Sequence, residues 1–212
     1  SGLILLTMLL ANTRAEETVL EQYVKTPDSA FEYRLVKTTY EVLYTTYIID
    51  LTSQQWHAEE VRPKKWKHWL VIVEPRLLGA YTEYLPFFSL VRTDKALLYI
   101  IRGDADHEDR PSVASAQAVQ LALRSQSIVA EIHGVPIGPV AFLDEQPETD
   151  WWDNLNPFDN DEDKVLREED SLQARSFDLA LATGDITWAL MAPMTKAVVR
   201  GMDVIQQFLQ QR

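Results

Sequence analysis

An α/β fold with a mixed sheet and flanking helices is predicted by three observations. First, two apolar runs, residues 95–101 (KALLYII) and 127–132 (SIVAEI), bracket a helical pattern at 111–124. Strand, loop, helix and strand in that order make a βαβ unit, because parallel strands need a crossover. Second, three earlier runs rich in Tyr, Thr, Val and Ile read as strands. Third, the last thirty residues hold a clear amphipathic helix: Val198, Gly201, Met202, Ile205, Phe208 and Leu209 recur at helical spacing as one apolar stripe.

Composition narrows the function classes. At 212 residues the chain is long enough for one domain with a sizeable core. The net charge of −12 argues against a nucleic-acid partner, which needs a basic footprint. With no cysteine, thiol nucleophiles, disulfides and Cys-based metal sites are excluded. Neither a G-x-G-x-x-G nor a P-loop glycine pattern occurs, so no nucleotide cofactor is expected.

The chain opens on a ten-residue apolar run, 2–11 (GLILLTMLLA), followed by Thr13-Arg14-Ala15. The run is short for a membrane span and suits a signal-peptide core. Residues 1–15 are therefore expected to be a signal peptide or hydrophobic anchor, with membrane association through 2–11 or a core helix as other readings. Residues 16–25 form a short amphipathic helix with Val19, Leu20, Tyr23 and Val24 on one face, ended by Thr26-Pro27-Asp28. Residues 31–38 and 39–51 are two antiparallel strands, with 52–56 closing the second. Residues 66–73 (WKHWLVIV) are a third, stopped by Pro75. Residues 77–90 are apolar and aromatic, interrupted by Pro86, and read as an inserted helix pair or lid-like segment. The run at 95–101 reads as a buried, parallel strand. The helix at 111–124 offers Val113, Ala116, Val119, Leu121 and Leu123 for burial. Residues 142–170 break the composition as an acidic loop or insertion bearing Trp151 and Trp152. Residues 171–182 are a helix with Leu172, Phe177, Leu179, Ala180 and Leu181 apolar; Gly184 fits its C′ position and Asp185 caps the next turn. Pro193 suits the first turn of the last helix.

No G-x-S-x-G nucleophile elbow occurs, so no catalytic residue is named. Histidines 57 and 68 read as structural. His133 follows a buried strand, where α/β sheets place their sites, and is a candidate to line a cleft. Asp104, Asp106 and His107 could together hold a divalent cation, although a solvated loop is the default reading. Asp159, Asp161 and Asp163 resemble the start of a calcium loop, but Lys164 stands where Gly is required and Asp170 where Glu is usual. No metal is therefore expected.

Several runs carry a resemblance: residues 47–56 (YIIDLTSQQW), 66–70 (WKHWL), 95–100 (KALLYI), Val135-Pro136 with Pro139, and Thr183-Gly184-Asp185 with Trp188. The most specific is residues 193–200 (PMTKAVVR) with Met202-Asp203. From about residue 19 onward the chain resembles the PhoPQ-activated pathogenicity-related proteins. The resemblance implies an α/β-hydrolase-like fold and a secreted or periplasmic location, with roles in virulence, antimicrobial-peptide resistance or signalling. It implies that residues 16–212 are the N-terminal part of that fold. It also implies that the terminal helix precedes a strand leading to a Ser-containing elbow, and that a glycine-rich turn follows the strand matched by 97–101. Here that turn reads Ile101-Arg102-Gly103-Asp104. The expected partner is the C-terminal part of the same fold or a companion chain, packing on the stripe of Val198, Met202, Ile205, Phe208 and Leu209. A degenerate hydrolase domain serving as a binding subunit, and one half of a two-chain serine hydrolase, are the other readings.

Overall fold

A computed structural model describes residues 17–76, 92–102, 110–145 and 165–211. The expected leader (1–15), the aromatic segment (77–90), the candidate ligands Asp104, Asp106 and His107, and Asp159, Asp161 and Asp163 all lie outside the described residues.

Helix α1 (Val19–Lys25) is followed by strands β1 (Glu32–Tyr40), β2 (Tyr44–Gln55), β3 (Val61–Arg62), β4 (Lys65–Pro75) and β5 (Arg92–Ile101). Helix α2 (Ala116–Ser125), strands β6 (Ser127–His133), β7 (Val140–Phe142) and β8 (Leu166–Arg167), and helices α3 (Glu169–Thr183) and α4 (Met191–Gln210) complete the order. Among the described residues five strands form one mixed sheet in the order β1-β2-β4-β6-β5. The first three junctions are antiparallel and β5–β6 is parallel, as the βαβ reading requires. A small antiparallel sheet, β3-β7-β8, lies beside it.

Strand alternation splits the core into two layers. Tyr47, Ile49, Leu51, Leu70, Ile72, Ala130 and Ile132 face one side with Ala197, Val204 and Ile205 of α4. Ile48, Val71, Val73 and Val129 face the other, under Ala118 and Ala122 of α2. The central strands are thus covered on both faces, which explains their near-continuous apolar sequence.

Local signals set the element ends. Thr18 and Glu21 make a capping box at α1. Ser115 caps α2 through Ala118 N–H at 3.0 Å. Gly184 ends α3 in the left-handed region (φ 72°), and its N–H donates to the Ala180 carbonyl. Asp185 Oδ1 accepts from Thr187 N–H at 2.9 Å, starting a 3₁₀ turn at Ile186–Trp188.

Five expectations are corrected. The second strand starts later than expected, at Tyr44, and runs on through Gln55; Thr52, Ser53 and Gln54 are buried within it, not a closing turn. The run at 95–101 is parallel but is an edge strand among the described residues, with Leu97, Tyr99 and Ile100 exposed. Helix α2 buries the small Ala118 and Ala122 one turn apart, while Val113 is exposed, because a close helix–sheet approach favours small side chains. Helix α3 buries Leu172 and Ser176 and leaves Phe177 and Leu181 exposed. The flanks of the acidic stretch are ordered: Phe142 sits in β7, Leu166 and Arg167 in β8, and Asp170 in the first turn of α3.

The terminal stripe meets this chain's own sheet: Ile205 is core, Val198, Phe208 and Leu209 pack against the core, and Phe208 meets Tyr47 edge-on at 5.1 Å. Of the five residues only Met202 is exposed. Gly201 sits at the helix–sheet contact, where an added Cβ would lie 3.1 Å from Ile132 Cδ1 and 3.6 Å from Leu98 Cδ2. Gly201→Leu is therefore expected to lower stability by about 1–3 kcal/mol through overpacking. In Gly201→Ala the gain in helix propensity of about 1 kcal/mol offsets the contact. Urea denaturation of the two variants checks this ranking.

Candidate functional site

The parallel strands β5 and β6 end together. Gly134 N–H donates to the Ile101 carbonyl at 2.9 Å, and Gly134 turns the chain at φ 80°, a conformation suited to glycine. Residues 136–138 then cross the strand ends, and the first turns of α3 and α4 close in from the side. Between them lies a cleft of about 360 Å³. Its apolar wall is Ile137, Leu190, Met191 and Met194; its rim is Arg102, Glu168, Glu169 and Asp170. Crevices at the carboxyl ends of strands are where open α/β sheets bind ligands.

The rim is acidic on balance. Arg102 pairs with Glu169, and both are exposed, so the pair holds the rim weakly. Glu169 has a left-handed backbone (φ 46°), unusual for a residue with a side chain. Leu190 N–H, at the start of α4, donates to the buried Ser176 Oγ at 3.2 Å, which fixes the Met191–Met194 turn against α3. Glu145, in the segment leaving β7, pairs with both Arg167 and Arg175 and anchors the other side of α3.

His133 does not line this cleft. By alternation it lies on the α2 face with Glu131, its Nε2 is buried without a hydrogen-bond partner among the described residues, and burial holds its pKa below the ordinary value. Glu131 caps α2 through Ser115. His68 is wholly buried: its Nδ1 donates to the His133 carbonyl at 3.2 Å, so its Nε2 accepts from Ser53 Oγ at 2.9 Å. This Ser–His pair has no access to solvent and reads as a satisfied polar joint between β2 and β4.

His57 stacks on Trp188 at 3.5 Å with the rings nearly parallel, and its Nε2 lies 3.3 Å from Thr187 Oγ1, which donates to Asp185. Burial lowers the His57 pKa, and hydrogen bonds from Thr187 lower that of Asp185. With depressed folded values for His57 and His133, the unfolded chain binds more protons just below pH of about 6.5. Stability should therefore rise with pH up to that point; the penalty is fully present below the folded values. Asp185 adds a loss at lower pH, as it protonates through its own depressed value. His57→Asn should flatten the slope of the urea midpoint just below pH of about 6.5; an unchanged slope would contradict this assignment.

A second polar cluster was not anticipated. Lys196, which by helical spacing lies off the apolar stripe of α4, is 3% exposed. It lies 3.8 Å from Asp28 and 4.9 Å from the Tyr23 ring centre. Tyr23 Oη donates to Gln54 Oε1 (2.8 Å), and Gln54 Nε2 donates to the Pro193 carbonyl (2.6 Å). The lysine's place in the run at 193–200 was the available signal. A second groove, of about 740 Å³, separates the C-terminal turns of α4 from β5 and is lined in part by Met202, Ile205 and Leu209. Among the described residues no group of three or more His, Asp or Glu is arranged to hold a metal ion, and no helix is long and apolar enough to cross a membrane.

These features define an α/β protein with a carboxyl-end cleft, and the family match is specific. The profile of the PhoPQ-activated pathogenicity-related proteins matches residues 20–212, and the chain belongs to that family. It is 29% identical over 209 residues to autocrine proliferation repressor protein A of Dictyostelium discoideum. That alignment takes in 98% of this chain and 36% of the relative, so the chain spans about a third of the relative's length. No solved structure matches the chain.

Proposed function

We propose that this chain is the N-terminal part of a secreted or membrane-associated α/β-hydrolase-like domain, and that it supplies one wall of an active-site cleft but not the nucleophile. The observation that carries this reading is the cleft at the joined carboxyl ends of β5 and β6, with Met191 and Met194 on one wall and an acidic rim. That is the end of the sheet at which a nucleophile at the tip of a further parallel strand would arrive. The buried state of the Ser53–His68 pair supports placing the nucleophile elsewhere. The relative's name, a proliferation repressor, supports a signalling output for the completed domain.

The test is labelling with a fluorophosphonate probe, which reacts with activated serines. The 212-residue chain and the polypeptide read through Arg212 are compared under native conditions. Label on the longer protein alone, at a residue after Arg212, is expected; label on a described serine of this chain would overturn the reading. Label carried by a separate companion polypeptide would make this chain half of a two-chain hydrolase. A second reading is a degenerate, non-catalytic binding subunit. It is favoured by Arg102, paired with Glu169, where the resemblance expects a glycine-rich turn. No label on either protein would select it.

A further inference from the structure

We infer that the apolar corner around the Gly184 turn is a docking surface for a zwitterionic lipid bilayer, on which the domain rests beside its N-terminal segment. The inference rests on the membrane-associated form of the reading above, and it names the face of the fold that meets the membrane.

Helix α3 spends its inward face on Leu172 and Ser176 and leaves Phe177 and Leu181, one turn apart, outside; Leu181 is 85% exposed. Gly184 then turns the chain in the left-handed region, and Ile186 and Met191 follow, each about half exposed. The 3₁₀ turn that carries Ile186 touches α3, α4 and α1, and α1 adds the exposed Val19 and Leu20 of its first turn. Backbone hydrogen bonds hold this corner in shape: Gly184 N–H donates to the Ala180 carbonyl, Ala189 N–H to that of Ile186, and Ala192 N–H to that of Ala189. Apolar side chains gathered on a fixed surface mark a contact site.

Connectivity and charge select the occupant. The apolar run 2–11 ends eight residues before Val19. Whatever accepts that run is therefore within about 28 Å of extended chain from this corner. The run is about half as long as a membrane-crossing helix. As with lipid anchors, one weak contact binds reversibly and a second makes the attachment stable. The corner is acidic at its margins. Glu21, Asp178 and Asp185 adjoin the patch in sequence, Arg175 is paired with Asp144, Glu145 and Asp178, and the chain carries −12 overall. An anionic bilayer would repel such a surface, and a zwitterionic one would not. Protein partners place their strongest contacts in pockets. Of these six side chains only Met191 lines either groove described above. Because Met191 also belongs to the cleft wall, docking here sets the mouth of the cleft at the lipid surface.

The chain has no cysteine, so Leu181→Cys and Val42→Cys each give one attachment point for an environment-sensitive fluorophore. Val42 is an exposed apolar control at the tip between β1 and β2, and the Tyr23–Gln54 hydrogen bond places α1 at the other end of β2. Each labelled 212-residue chain is mixed with phosphatidylcholine vesicles that contain a nitroxide-bearing lipid. Strong quenching at residue 181 and none at residue 42 is expected, and phosphatidylserine in the vesicles should weaken it. Adding Phe177→Asp and Ile186→Asp, both at exposed positions, should raise the lipid concentration for half-quenching by about tenfold or more.

A chain that floats with the vesicles while residue 181 stays unquenched would overturn the inference and leave the run 2–11 as the membrane contact. Quenching at 181 that survives Leu6→Asp would keep the docking surface and remove that run as its companion. Stronger quenching with phosphatidylserine would overturn the lipid assignment. So would a label at 181 already shielded before vesicles are added. Shielding only in the protein read through Arg212 would make the later polypeptide the occupant, and concentration-dependent shielding in the short chain would make it a second copy. No association with vesicles would remove both the docking surface and the membrane-associated reading.

Discussion

Asp28→Ala is expected to lower the stability of the chain by about 3 kcal/mol, whereas Lys196→Met should cost almost nothing or add stability. The asymmetry follows from burial. Lys196 is buried beneath α1, and Asp28 is the carboxylate beside its ammonium. Burial lowers the lysine's pKa, with Asp28 working against that trend. Taking away the carboxylate strands a charge in a poorly solvated site and also frees Ala30 N–H and Gln55 N–H, both of which donate to Asp28. Taking away the lysine leaves Asp28 two backbone donors, and methionine fills similar volume. A pH scan adds a second readout. Because the folded pKa of Lys196 is depressed, its penalty is present below that value and is relieved as pH rises toward the unfolded value of about 10.4. The wild type should gain stability over that window and Lys196→Met should not. Equal losses in the two variants on urea denaturation would show that the pair does not hold α1 down.

Trp56→Ala is expected to cost about 3–5 kcal/mol, the range for emptying a large core site. Trp56 is 1% exposed and touches Trp66, Trp188 and Phe142 edge-on, at 5.8, 6.0 and 6.3 Å between ring centres. Its Nε1 donates to the Thr187 carbonyl at 2.9 Å. The ring thus ties the end of β2 to β7 and to the turn that launches α4, so the Met191–Met194 wall of the cleft depends on it. Trp56→Phe keeps the packing and leaves the Thr187 carbonyl without its donor, and should cost about 1–3 kcal/mol. Thermal unfolding followed by near-UV circular dichroism separates the two; an alanine variant as stable as wild type would remove Trp56 from this role.

Much of the fold is legible in the sequence because its central strands obey local rules. KALLYII and SIVAEI around a helical pattern name a parallel pair, and Gly184 and Asp185 announce their caps. What is not legible depends on neighbours distant in sequence. Nothing local tells the edge position of β5 from the buried position of β6, since both read as apolar runs. Lys196 looks outward on a helical wheel, and only the segment from Tyr23 to Asp28 crossing above it turns it inward. The stripe from Val198 to Leu209 is amphipathic whether it meets this chain's own sheet or another's. The cleft escapes local reading for the same reason. Arg102, Gly138, Glu169 and Met194 come from four segments that only the topology of the sheet brings together.

The central claim is that the cleft at the carboxyl ends of β5 and β6 is a wall of the active site in the completed domain. The chain has no cysteine, and an added Cβ at Gly138 meets nothing within 4 Å, so Gly138→Cys offers a single attachment point in that cleft. The direct measurement is fluorophosphonate labelling of the protein read through Arg212 carrying this substitution, before and after a bulky maleimide is attached. A matched cysteine at Glu32, on the opposite edge strand, serves as control. Loss of labelling only when the maleimide sits at residue 138 is the predicted result. Labelling that persists with the maleimide at residue 138, in a protein that remains folded, would contradict the account.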